Sequence, residues 1–542
     1  MRKYLSEIFE TLALRLDYLK GINIVFNVPN NQGQGDYSTN AALLLSKIVK
    51  KNPREVANEI INSLEYDKNK IEKIEIAGPG FINFFFNKNF IAEIIKEVVY
   101  KNESFGRSQK YSSKRALVEF VSANPTGPLT VGHGRNAVIG DTVANMLQWI
   151  GYSVDREYYF NNAGRQMRVL GDSVKQRYLQ ILGNDIEFPE DYYQGEYIKD
   201  IAQQLFDEYG DKLAGEDCEG LFKARAEKEI FKDIDKTLKR ISIEFNNYFN
   251  EHTLYTEGKI EGLLNTLKEK NLSYEKEGAV WLKLTELGNE ADKVIVKSTG
   301  EPTYRLPDVA YHMNKFERKY DLMVDLFGSD HNATYPDVLA ALKALNYDTD
   351  KVKVLIHQFV TIMSGGEVVK MSTRKANYIT LDELIDEVGS DVVRYFFIMR
   401  SIASHLNFDL DIAKKQSDEN PVFYLQYAHA RIASILRMVK EQDLKADYEN
   451  LNLLASDEEQ NLLKKLHLFE DEMLYAAENY EAHRIANYLE ELAALFHRFY
   501  TECRIIGTEK KLAEARIALC IAVQTLMRNG LSILGLNAPD KM

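Results

Sequence analysis

The 542-residue sequence predicts a multidomain α/β plus all-α protein. A parallel-sheet α/β domain with an insertion sits between a small N-terminal α+β module and a C-terminal helical bundle. Three observations predict this. From residue 115, short apolar runs alternate with helical patterns, as in a parallel sheet with crossover helices. Residues 390–506 lack glycine, hold one proline, Pro421, and repeat apolar residues at three- and four-residue spacing. Residues 1–105 mix helical patterns with short strands, and the polar stretch KNESFGRSQKYSSK (101–114) reads as a linker. The predicted domains are therefore 1–105, 112–400 and 405–542.

In chain order, KNPREVANEIINSL (51–64) has helical spacing, and IEKIEIAGPGFINFFF (71–86) reads as strand, Gly-Pro-Gly turn, strand. RALVEFV (115–121) predicts a buried strand. The Pro/Gly-rich turn NPTGPLTVGHG follows. An amphipathic helix then places Val138, Ile139, Val143, Met146, Leu147 and Ile150 on one face. SVDREYY, DLMVDLFGSDH (321–331) and KVKVLIHQFV (351–360) predict further strands, and the helix-rich stretch around 170–290 reads as the insertion. LEELAALFHRFY (489–500) typifies the bundle.

Composition narrows the classes. Hydrophobic residues make up 45% and charged residues 27%, ordinary for a protein with real cores. No apolar run approaches the length of about 18 residues that a membrane helix needs, and no signal-peptide core opens the chain. The three cysteines are far apart, which fits a reducing cytoplasm and supplies no metal site from protein ligands. A net charge of −13 argues against indiscriminate nucleic-acid coating, although the first 110 residues carry a slight basic excess.

Two loops carry the chemistry. Gly132-His133-Gly134 lies where the first crossover helix should begin, so free N–H groups and the helix dipole meet an anion there. The glycines would let a nucleotide approach the backbone, and His133 could donate to a phosphate oxygen as charge develops. The same residues fit the dinucleotide fingerprint G-x-G-x-x-A, with Asp155 about 20 residues on. A dehydrogenase is thus an alternative. It is weakened by the intervening NPTGPLT and by the histidine between the glycines. The second loop, GGEVVKMSTRKAN (365–377), carries Lys370, Arg374 and Lys375, and suits a polyphosphate whose leaving group needs neutralising.

TVGH (130–133) and KMSTR (370–374) resemble the H-x-G-H and K-M-S-K signatures of class I aminoacyl-tRNA synthetases. VEFVSANPTGPL (118–129), TYRLPDVAYH (303–312), FGSDH (327–331), NPVFYLQYAHARI (420–432) and the terminal NGLSILGLNAPDKM narrow the resemblance to the arginyl-tRNA synthetase family, over essentially the whole chain. The resemblance implies a tRNA-elbow-binding N-terminal domain, a Rossmann-type catalytic domain and a helical anticodon-binding domain. It implies a cytoplasmic, monomeric ligase using L-arginine, its cognate tRNA and ATP, with Mg2+ held mainly by the ATP phosphates and no role for a membrane.

By the same resemblance, His133, Lys370 and Thr130 are catalytic candidates. Gly132, Gly134, Met371 and Ser372 join them around ATP. Glu119, Asn124, Tyr304 and Asp308, and less securely Asp330, would receive the arginine side chain, since a guanidinium needs carboxylate and carbonyl-type acceptors. Tyr424, Gln426, Tyr427 and Arg431 are candidates for stacking on or bonding anticodon bases, with core packing as the alternative. Asn162 departs from the family's N-D-A-G, with a loop-structuring role or one near the substrates both open. Thr130 and Thr373 replace signature residues. Those two departures motivate a second hypothesis, a tRNA-binding paralogue with impaired catalysis.

Overall fold

In a computed structural model, residues 1–29, 32–369 and 379–542 are described. The first module holds a three-stranded antiparallel sheet, β1 (Tyr37–Thr39), β2 (Ile71–Ala77) and β3 (Phe81–Phe86), in the order β1-β3-β2. The helix Pro53–Ser63 starts where Asn52 accepts from the Arg54 N–H and proline occupies the first turn.

The parallel sheet opens with β4 (Arg115–Glu119), β5 (Ser153–Phe160) and β6 (Asn247–Asn250). A small antiparallel sheet, β7 (Ser273–Lys276), β8 (Ala279–Leu282) and β9 (Lys293–Val296), interrupts it before β10 (Leu322–Gly328) and β11 (Val352–His357) complete it. The order is β11-β10-β4-β5-β6, and every pairing is parallel. This is the doubly wound arrangement, with its switch point between β4 and β10, where ligands enter such sheets.

Three expectations change. The stretch 170–290 is not one insertion. The helices Gly164–Ile181, Glu196–Tyr209 and Lys223–Arg240 precede β6, and a second excursion with β7–β9 follows it. β6 is a short, aromatic and polar edge strand, so its sequence carries no apolar run to announce it. The helix Val131–Trp149 is not amphipathic: it is buried on nearly all sides, because sheet, bundle and the helices after residue 380 surround it. Residues 405–420 do not join the bundle. β12 (Val360–Ser364) pairs with β13 (Glu367–Val368) and with β14 (Leu406–Asp409), and the first bundle helix is Pro421–Glu441.

Apolar packing ties the parts together. One continuous core joins the first module, one face of the parallel sheet and the bundle, and a second, including Leu263, Leu306, Tyr311 and Leu342, covers the other face. The polar linker is pinned as well: Phe105 is buried against Phe469, and Trp149 donates to the Gly106 carbonyl at 2.7 Å. Buried Arg394 bonds Asp141 of the central helix, the Ile241 carbonyl and the Leu534 carbonyl of the last helix. Gly535, at φ +70, leaves room for that guanidinium.

Candidate active site

A cavity of about 400 Å3 opens at the switch point, within the size range of small-molecule sites. Glu119, Asn124, Tyr304, Asp308 and Asp330 all line it, so the five sequence candidates for the amino acid meet in one place. β4 delivers Glu119 and then turns through Val121 and Ser122, both left-handed at φ +66 and +43. A β-branched residue there is strained. Asn136, on the central helix, stabilises the turn by accepting from the Val121 N–H at 2.6 Å and donating to the Leu326 carbonyl at 3.1 Å. It thereby joins the ends of β4 and β10.

The floor is a buried ionic cluster. Lys315 Nζ lies 2.5 Å from both Glu119 Oε2 and Asp325 Oδ1. The Ser122 hydroxyl donates to Glu119 Oε1 at 2.9 Å. His312 Nε2 is 2.9 Å from Asp325 Oδ2, and its Nδ1 is 2.8 Å from the Asp308 carbonyl. The Asp308 carboxylate takes no hydrogen bond from the described residues, and burial pushes it up to about 7, with His312 opposing and Glu119 and Glu251 reinforcing the shift. Burial raises Glu119, while Lys315 pulls it down. Tyr304 stands at the rim, 73% exposed. Asn124 donates to Gln166 at 2.9 Å and accepts from the Asn161 N–H at 3.0 Å. Asn162 donates to Glu227 at 2.9 Å, which favours the loop-structuring alternative for it.

Sequence reasoning missed Glu251, His312 and Lys315. Glu251 follows β6, lines the same cavity and accepts the Tyr159 hydroxyl at 2.5 Å. Nothing in the edge strand marks it. His312 and Lys315 did leave a signal, since Asp308, Tyr311, His312 and Lys315 share a helix face at three- and four-residue spacing. A lysine on an otherwise buried face requires partners.

At the start of the central helix, Thr130 is the N-cap of Val131–Trp149, and His133 completes a capping box. The Thr130 N–H donates to His133 Nδ1 at 3.2 Å, and the His133 N–H reaches the Thr130 hydroxyl at 3.5 Å. Burial lowers the His133 pKa, His357 adds to this, and Asp330 opposes it. A neutral ring accepting at Nδ1 carries its proton on Nε2, which remains the donor for a ligand. Thr130 thus positions the histidine. The glycines divide their work. Gly132 is exposed, and a Cβ there would meet only the Thr130 hydroxyl, at 3.7 Å. Gly134 is buried, and its Cβ would lie 2.6 Å from Leu381 Cδ1, so close packing at this point requires a glycine.

Lys370, Met371 and Ser372, with Thr373, Arg374 and Lys375, lie outside the described residues. The chain beyond them returns beside the histidine loop: Thr130 forms a β-bridge with Thr380, and the Leu381 N–H donates to the Leu129 carbonyl at 2.8 Å. In the bundle, Tyr427 stacks on His497 and Phe423, and the Arg431 guanidinium lies 4.8 Å from the Tyr500 ring. Tyr424 packs 4.9 Å from His497. The Gln426 amide donates to Asp391 at 2.7 Å and to the Asn537 carbonyl at 3.0 Å, so its hydrogens are engaged within the protein.

Comparison with known proteins agrees with this geometry. A model of the class I (R) tRNA synthetase catalytic domain matches residues 94–395, one of the arginyl tRNA synthetase N terminal domain matches 1–86, and one of the DALR anticodon binding domain matches 425–542. Fold and site therefore define a class I aminoacyl-tRNA synthetase. The chain is 48% identical to the arginine–tRNA ligase of Salinibacter ruber over 100% of both chains. It is 50% identical to that of Desulfotalea psychrophila over 95% of this chain and 94% of the other. It belongs to the arginyl-tRNA synthetase family. The solved Thermus thermophilus arginyl-tRNA synthetase shares its fold, with a TM-score of 0.78 at 20% identity over 100% of both chains.

Proposed function

We propose that the protein attaches L-arginine to its cognate tRNA through an arginyl-adenylate. An arginine carboxylate oxygen attacks the α-phosphorus of ATP and pyrophosphate leaves. A ribose hydroxyl of the terminal adenosine of tRNA then takes the arginyl group and AMP departs. The observation that carries this is an acidic pocket at the carboxyl end of the parallel sheet, where the Asp308 carboxylate takes no hydrogen bond from the described residues. Asp330 of its lining lies close enough to His133, at a helix N-terminus, to act on that histidine's charge.

Asp308 and Glu251 would receive the guanidinium, with Tyr304 covering it and Asn124 orienting the amino-acid end. Glu119, already paired with Lys315, contributes its second oxygen. His133 Nε2–H would donate to ATP phosphate oxygens over exposed Gly132, Lys370 would stabilise the triphosphate, and Met371 and Ser372 would join it around ATP. Magnesium would arrive with those phosphates. Among the described residues no group of three or more His, Cys, Asp or Glu could hold a metal ion. The domain roles are elbow binding for 1–105, catalysis for 112–400 and anticodon binding for the helical region, where Tyr427 and Arg431 offer the better-placed surface. No helix among the described residues is long and apolar enough to cross a membrane.

Arginine-dependent ATP–pyrophosphate exchange, with and without tRNA, tests the proposal. Exchange in neither condition would favour the impaired paralogue. Against that alternative, Thr130 keeps a structural role at the motif, capping the helix and holding His133 through its N–H.

A further inference from the structure

We propose that His312 and Lys315 form a buried cationic floor that keeps Asp308 and Glu119 ionised beneath the arginine side chain, as positioning residues that act through those carboxylates. The inference rests on the arginine pocket assigned above and concerns what lets that pocket hold negative charge at all. A carboxylate removed from water favours its neutral form, and a neutral carboxyl cannot pair with a guanidinium. The floor contains compensating charge.

Lys315 is fully buried and bridges Glu119 on β4 to Asp325 on β10 at 2.5 Å each, with the Tyr311 ring 4.3 Å from its ammonium. His312, also buried, faces two acceptors, the Asp308 carbonyl at 2.8 Å and Asp325 Oδ2 at 2.9 Å. Neither acceptor can donate, so the ring satisfies both only when both nitrogens carry hydrogen, as a cation. Three carboxylates, Glu119, Asp325 and Asp308, then face two cations. The unmatched negative charge sits on Asp308, the carboxylate without a hydrogen bond from the described residues. The groups facing Asp308 are His312 and Lys315 from its own helix, Glu119 from β4, and Glu251, Tyr159 and Tyr255 from the β5 and β6 side. All but the first two are acidic or neutral, so the two cations are what oppose its protonation.

The test is arginine-dependent exchange across pH in His312→Gln, which keeps a donor and removes the charge. The KM for arginine should rise about tenfold, and the acid limb of kcat/KM for arginine should move up by about one pH unit. The KM for ATP should stay within about twofold of wild type. An unmoved acid limb, with both KM values rising together, would overturn the proposal and leave His312 as packing. Should the variant not fold, neutron crystallography of the wild-type protein at about pH 8 reads the same point. Deuterons on both His312 nitrogens are expected, and a deuteron on one alone would overturn the proposal. If wild-type exchange with arginine fails altogether, the functional assignment falls while the neutron result still decides the floor.

Discussion

Asp308→Asn should weaken arginine binding and yet make the empty protein more stable. The substitution keeps the shape and removes the charge. In the folded protein Asp308 titrates at about 7 instead of 3.8, because burial dominates and Glu119 and Glu251 add like charge. Its pKa is raised on folding, so between those values the folded state binds more protons than the unfolded state. Stability therefore falls as pH rises through that window and is lowest above about 7. The shift corresponds to on the order of 4 kcal/mol, reduced to about 2–4 by the pocket's contact with solvent. The uncharged amide removes that penalty, so at pH 8 the melting temperature of the apo-variant should rise by about 2–4 °C. At pH 5 the difference should shrink to roughly 40% of that, and it should vanish only below about pH 3.8. Arginine binding should move oppositely: losing the charged partner of a buried pair costs about 2–5 kcal/mol, at least thirtyfold in KM. The wild-type KM for arginine should be flat above about pH 8 and climb as pH falls through 7, and the variant should lack that limb. Thermal melts and exchange assays over pH 5 to 9 would check both effects. A variant less stable at pH 8, or one with an unchanged arginine KM, would refute the reasoning.

Other expectations follow from the same geometry. His133→Ala should lower kcat by ~10²–10³, as for loss of one transition-state donor. Thr130→Ala should cost about 1 kcal/mol of stability and lower kcat far less, readable in the same melts and exchange assays. Gly134→Ala pushes a methyl group against Leu381 and Phe397 and should destabilise by about 1–3 kcal/mol in denaturant titrations. Glu251→Gln should raise the arginine KM at least tenfold while leaving the ATP KM near wild type, since Glu251 accepts at the arginine wall of the cleft.

Much of the site was legible because its residues sit in turns whose chemistry is local. The glycine-flanked histidine at a helix start, and the strand end bearing Glu119 and Asn124, are short-range features that sequence displays directly. Thr130 shows the limit. Its place in the signature suggests a phosphate contact, yet its side chain caps the helix and its N–H orients His133. A cap is also local, and the T-x-x-H spacing displays it, but the motif resemblance draws attention to the phosphate role instead. Gly134 carries a packing constraint that the sequence does not display, because Leu381 is remote in sequence.

The three-part organisation, the parallel sheet, the family resemblance and the five candidates that line the cavity were legible in the sequence. They depend on periodicity, turn residues and motifs, which act over a few residues. Tertiary structure alone decided that β6 lies at the sheet edge and presents Glu251, and that Lys315 joins Glu119 to Asp325 across two strands. It alone placed the Thr380 segment beside Thr130. These are pairings between groups up to 250 residues apart. Burial and charge act through space, so their consequences become fixed when the chain has closed around them.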